Sequence, residues 1–163
     1  MSTLYVDNLA PNLTSAVHAT GHVIGVAHAV SSTFSTNSTG NTLIVQISYT
    51  AKVTGSKLMV TGMSPRYQNN SSTGTWHSSA ATWLTQDGVV KASFEHVGTQ
   101  SHSGEACENV PISYLSDAVT AGTTYVFGVY HSPVNNGTST WYFGRNVSGG
   151  DAHTRITVME IAQ

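Results

Sequence analysis

The chain has 163 residues, enough for one domain with a real core and too few for two comfortable ones. Only 9% of the residues are charged, against about a quarter in ordinary globular domains, and the net charge is -2. With no basic run there is no footprint for a phosphate backbone, so nucleic acid is not an expected partner; no apolar run approaches the roughly 20 residues of a membrane span, so insertion is not expected either.

Ser, Thr, Asn and Gly fill the surface where charge is missing. Such a surface suits strands and turns better than helices. The single cysteine, Cys107, rules out an intrachain disulfide. The opening MSTLYVDNL has neither the basic nor the apolar region of a secretory signal. The sequons at Asn12, Asn37, Asn70, Asn136 and Asn146 then read as a by-product of composition.

Residues 1–20 form an opening segment. Leu4 and Val6 can make a short strand that Pro11 stops, and NLTSAVHAT is too small and polar to bury much alone. It is expected to dock on a neighbour. Gly21 opens the next unit, in which Val23 and Ile24 begin a strand and Ala27, His28 and Ala29 imply close packing. Thr42 to Thr50 alternates cleanly: Leu43, Val45, Ile47 and Tyr49 point one way, with Ile44 the exception. Gly55 marks a turn, Lys57 to Met63 follows as a strand, and Pro65 is expected to end it.

Residues 66–79 read as a long polar loop and Ala80 to Leu84 as a strand, with Trp83 in the core. Asp87-Gly88 is the strongest hairpin signal in the chain. Val89 to Val97 returns, 98–109 is a second loop, and Val110 to Leu115 starts a strand with Pro111 near an edge. Thr123 to His131 and Arg155 to Ile161 are apolar on both faces. Strands of that kind are normally covered on both sides, which predicts a second layer or another subunit. Strands recurring every ten or so residues give an all-β fold, a jelly-roll-like β-sandwich head over 21–163 behind a 1–20 connector.

Several phrases occur together: GHVIGVAHAV, SKLMV, AGTTYVFGVYHSP, GTSTWYFGRN and the terminal RITVMEIAQ. In this order the set resembles the tail-fibre-like virion proteins of tailed bacteriophages, including phages of marine bacteria and cyanobacteria. The opening MSTLYVDNLAP resembles their attachment ends. The resemblance implies a homotrimer of jelly-roll heads, docked on other virion proteins through the N-terminal segment and used for host contact or surface decoration. The chain is short and carries no long shaft, which favours a stubby fibre, a tip or a decoration protein. A closed three-fold ring also buries the second face of a two-faced strand.

The densest ionisable segment, FEHVGTQSHSGEACE, holds Glu95, His96, His102, Glu105, Cys107 and Glu108. These are metal-ligating types, yet CxxC, HxH and HExxH spacings are all missing, so it reads as a polar loop and no metal or cofactor is expected. His18, His22 and His28 can titrate on a shared axis, or be unrelated packing and surface histidines. Tyr67, Trp76, His77, Trp141 and Tyr142 lie in or beside loops, where aromatic faces next to hydroxyls and amides suit saccharides. The alternative is packing, which leads for Trp141 and Tyr142 because they sit in a strand pattern. Arg66 can add an anionic contact.

Glycosidase chemistry needs two carboxylates at a defined separation, and nothing in the sequence pairs two of the eight acidic residues in one cleft. Asp151-Ala152-His153 has no G-x-S-x-G elbow beside it. The chain is therefore expected to be non-enzymatic, with loops 66–79 and 98–109 as its contact surface. Arg66, Tyr67, Trp76, His77 and His102 are the candidate binding residues for a host-surface glycan or protein.

Overall fold

The computed structural model describes residues 20–31, 35–36, 41–70, 76–100, 104–135, 139–143 and 153–163. They form ten strands, with no helix among them: β1 (Val23–Val30), β2 (Ser35–Thr36), β3 (Thr42–Thr50), β4 (Lys57–Asn70), β5 (Trp76–Gln86), β6 (Val89–Gln100), β7 (Gly104–Ala118), β8 (Thr124–Asn135), β9 (Ser139–Phe143) and β10 (Arg155–Ile161). The expected connector lies, apart from Thr20, outside the described residues.

The strands make a six-stranded and a four-stranded antiparallel sheet packed as a β-sandwich. In the larger sheet β7 covers one edge of β4. On the other edge β10 pairs with Lys57 to Met63 and β9 with Arg66 to Asn70. β9 and β10 are thus two halves of one strand line. β1 and β2 flank them in the same way, β1 on β10 and β2 on β9. Read as lines, the chain pairs first with last: β1 with β10, β3 with β8, β4 with β7, β5 with β6. That nesting is a long antiparallel hairpin rolled into two sheets, the jelly-roll arrangement.

The split in the β9/β10 line explains Pro65. It lies inside β4 and does not end it, contrary to expectation. The ladder to β10 stops at Met63 and the ladder to β9 starts at Arg66. Proline therefore sits where no partner strand calls for an N–H on that side. As a result the expected loop 66–79 is largely strand, with β4 running to Asn70 and β5 starting at Trp76. The expected loop 98–109 is likewise the end of β6 and the start of β7. Pro111 does fall on an edge strand, β7.

Alternation fills the space between the sheets. Val45, Ile47 and Tyr49 of β3, Leu58 and Val60 of β4, Leu84 of β5, Ile112 of β7, Phe127 and Val129 of β8, and Ile156 and Val158 of β10 form the main core. A smaller cluster of Ile44, Ala80, Trp141 and Phe143 closes the other half. Ile44 points inward and Leu43 outward because a bulge between Leu43 and Val45 shifts the register. The hairpin at Asp87-Gly88 has both residues at positive φ, 51° and 80°, as a two-residue turn of type I′ requires.

The sandwich has two unlike ends. At the near end the connections 51–56 and 119–123 interlock: Gly55 N donates to Val119 O, and Gly122 N to Ala51 O. Thr20 enters here beside the C-terminus, where Gly21 N donates to Ala162 O and Ala162 N to His22 O. The far end is reached by β4, β5, β6, β7, β8 and β9, whose ladders continue to Asn70↔Gly104, Asn70↔Ser139, Trp76↔Gln100 and Ser79↔Asn135.

Candidate functional site

Three polar bridges join the sheets along the long axis. Nearest the N-terminal end, Glu160 of β10 is fully buried on the inward face it shares with Ile156 and Val158. Lys52 N donates to its two oxygens at 3.0 and 2.9 Å, and Val53 N to Oε1 at 2.8 Å. Tyr49 Oη donates to Oε2 at 2.9 Å. Ser56 Oγ lies 2.6 Å from Oε1 and 2.7 Å from the Val53 carbonyl, with one proton between the two acceptors. Burial works to raise the Glu160 pKa, but Ser56, Lys52 N, Val53 N and Tyr49 together hold it below the usual carboxylate value. Gly25, opposite Glu160 in the β1–β10 ladder, makes the room: a Cβ there would overlap the Tyr49 hydroxyl.

At mid-length, Ser64 of β4 meets His131 of β8. Ser64 Oγ is 2.6 Å from His131 Nε2 and 2.8 Å from Thr154 Oγ1, and His131 Nδ1 is 2.8 Å from Thr82 Oγ1. The imidazole stacks on Phe143 at 4.4 Å between centroids. Burial pushes its pKa down to about 3; the Arg66 charge adds to this, and a hydrogen bond to the Ala81 backbone works the other way. In outline this is a hydroxyl, a base and an orienting group. All four residues are buried, however, and the orienting group is a neutral hydroxyl. The group is sealed from any substrate and acts as a polar tie between sheets.

Arg66 makes the third bridge, and it corrects the sequence reading. Its side chain is 1% exposed, with Nη2 2.7 Å from Glu108 Oε2 on the adjacent β7, whose side chain is 41% exposed. Nε donates to the same oxygen at 2.8 Å, and Nη1 to the Ala80 carbonyl of the opposite sheet at 3.0 Å. Ala80 is paired with Pro133, which has no N–H to offer. Arg66 is therefore committed inside the protein and presents no anion contact outside.

Tyr67 is corrected likewise. It is buried, with its ring tilted against Tyr142 at 5.4 Å. The cross-strand register Tyr67↔Tyr142 sets that contact. Trp141 is buried in the smaller core beside Phe143. The Trp76 and His77 side chains lie outside the described part of the structure, as do those of Glu95, His96 and Glu105; His102 lies outside the described residues altogether. Among the described residues no group of metal-ligating side chains forms; Cys107 is exposed and free, and Glu108 belongs to Arg66.

Both outer faces carry features that loop-based reasoning missed. On the six-stranded sheet one row crosses four strands: Val26, Met159, Met59 and Leu115 are successive partners. Its ends are open, Val26 at 60% and Leu115 at 50% exposure. The signal was present in the sequence as the second apolar parity of Arg155 to Ile161. On the four-stranded sheet, Trp83 is half-buried on the outer face rather than in the core, opposite Tyr130. With Asn41, Thr85, Gly88 and Val90 these rings line a depression of about 250 Å3. No protein-family model matches the chain, and no curated protein matches it significantly.

Proposed function

We propose that the chain is a non-enzymatic structural protein of a phage particle, a short trimeric tail fibre or fibre tip that contributes to host-surface attachment. The observation that carries this reading is the polarity of the sandwich. Thr20 enters at the near end, among short interlocked connections. Six strands run on to the opposite end. A protein docked on its particle through residues 1–20 and touching a host at its tip needs the two functions at opposite ends. Jelly-roll sandwiches serve in capsids and lectins alike, so the fold by itself leaves the choice open. The resemblance of GHVIGVAHAV through RITVMEIAQ to tail-fibre-like virion proteins tips it.

The partners in this reading are two further copies of the chain, other virion proteins at the N-terminal segment, and a host glycan or protein at the far end. The row Val26–Met159–Met59–Leu115, open at its two ends and half-buried between them, supports assembly, because a contiguous apolar strip on an outer face marks an interaction surface. A closed ring hides three such strips at once.

Immunogold electron microscopy with antibodies against the full chain tests the virion role. Gold at tail tips supports it. Gold scattered over the capsid favours the alternative, a decoration or head-fibre protein. Particles from a producing lysate that carry no gold contradict both.

A further inference from the structure

We propose that the outer face of the four-stranded sheet holds a binding site for one neutral pyranose ring, centred on Trp83 and Tyr130. This inference is independent of the virion role. Trp83 and Tyr130 stand directly opposite each other on β5 and β8. Side chains at such positions have Cβ atoms about 4.5–5.5 Å apart, and both rings line the same depression. Both are half-buried, which fixes their orientation and leaves ring area open.

Gly128 sets the tilt of Tyr130. A Cβ at Gly128 would stand 2.9 Å from Tyr130 Cε2, 3.1 Å from Thr85 Oγ1 and 3.2 Å from Leu43 Cδ1. The three side chains therefore close over the bare backbone, and the Tyr130 ring lies across it. An aromatic laid over a strand glycine turns a face outward, where a residue with a Cβ beneath would stand it upright. Thr85 lines the depression and donates to the Gly128 carbonyl at 3.2 Å, which leaves its oxygen lone pairs as acceptors.

The lining selects the class of ligand. Asn41, Thr85, Trp83, Tyr130, Gly88 and Val90 carry amide, hydroxyl and apolar groups and no ionisable acid or base near neutral pH. Nothing there balances a carboxylate, a phosphate or an ammonium group. A neutral pyranose matches: its C–H face stacks on aromatic rings while its hydroxyls meet an amide and a hydroxyl oxygen at the rim. The volume of about 250 Å3 lies below the roughly 300–1,000 Å3 clefts of drug-sized ligands, which limits the site to a single ring.

Saturation-transfer NMR on the full chain tests the site. The probes are methyl pyranosides of glucose, galactose and mannose, and N-acetylglucosamine, each taken to about 20 mM, beyond the millimolar range expected of one shallow contact. At least one should bind saturably. Trp83→Ala should weaken it at least tenfold, and Asn41→Ala, on the exposed rim, several-fold with an unchanged melting temperature. Failure of every neutral sugar overturns the proposal. So does binding that survives both substitutions, including binding lost instead on Trp76→Ala.

Discussion

The Tyr49 hydroxyl on β3 crosses the sandwich to donate to the Glu160 carboxylate on β10 at 2.9 Å, 111 residues away in sequence. The bond joins the two sheets beside the chain's entry point, and Gly25 leaves the space for it. Tyr49→Phe removes one hydrogen bond to a charged group and should cost about 1.5–3 kcal/mol in denaturant unfolding. Gly25→Ala should cost about 1–3 kcal/mol through overpacking against the hydroxyl. In the Tyr49→Phe background most of that second cost should vanish, since the two effects share one atom. Full additivity would show that Gly25 is not there for Tyr49.

Acid stability should fall through two overlapping windows, the upper one opening first. The folded His131 pKa, about 3, lies below the unfolded value near 6.5, so the unfolded chain takes up a proton that the folded chain refuses. Its share of stability is present above pH 6.5 and drains as pH falls toward 3, by at most about 1.4 kcal/mol per pH unit. Glu160 is depressed below its unfolded value, so its share is complete above about pH 4.5 and is lost below that. Denaturant titrations across pH should show His131→Gln flattening the upper window and Glu160→Gln the lower one. An unaltered slope between pH 6.5 and 4.5 in His131→Gln would contradict the buried neutral imidazole.

Arg66 and Glu108 should respond unequally to removal. Glu108→Ala strands a buried guanidinium, which should cost about 3–5 kcal/mol. Arg66→Met leaves a carboxylate that is already partly in water, together with one unpaired Ala80 carbonyl, and should cost about 1–3 kcal/mol. Urea unfolding of both variants checks the order. A costlier Arg66→Met would contradict it.

Much of the fold was legible in the sequence, and the misses share a cause. Alternation at Val45, Ile47 and Tyr49 marks a core row and Asp87-Gly88 marks its hairpin, whereas Phe127, Val129, Ile156 and Val158 lie in strands that are apolar on both faces, so the sequence does not say which of their rows turns inward. The extension of β4 was hidden because its inward row changes character, from Leu58 and Val60 to Ser64, Arg66 and Gln68, all of them buried. Hydrophobic period vanishes where a buried row is polar, so residues 66–79 looked like loop. Arg66 and Tyr67 then looked like contact residues, and their actual partners, Glu108 and Tyr142, lie far along the chain. Glu160 was within reach of the sequence: an acid on the apolar parity of Ile156 and Val158 demands buried partners. Trp83 was misread because a lone tryptophan among Ala, Thr and Leu does not reveal which parity faces in.

The apolar row on the six-stranded sheet should govern assembly. Val26→Lys and Leu115→Lys place charges at its two open ends, where folding should change by less than about 0.5 kcal/mol. In sedimentation velocity either variant should dissociate at concentrations where the wild type stays assembled. Variants that remain assembled would place the interface elsewhere.

Light scattering on the full chain at micromolar concentration is the most direct measurement of the central claim. The monomer is 17.2 kDa. A single species of three times that mass is the predicted result and supports the trimeric head. A clean 17.2 kDa species would contradict the trimer and leave the apolar row without the partner assigned to it.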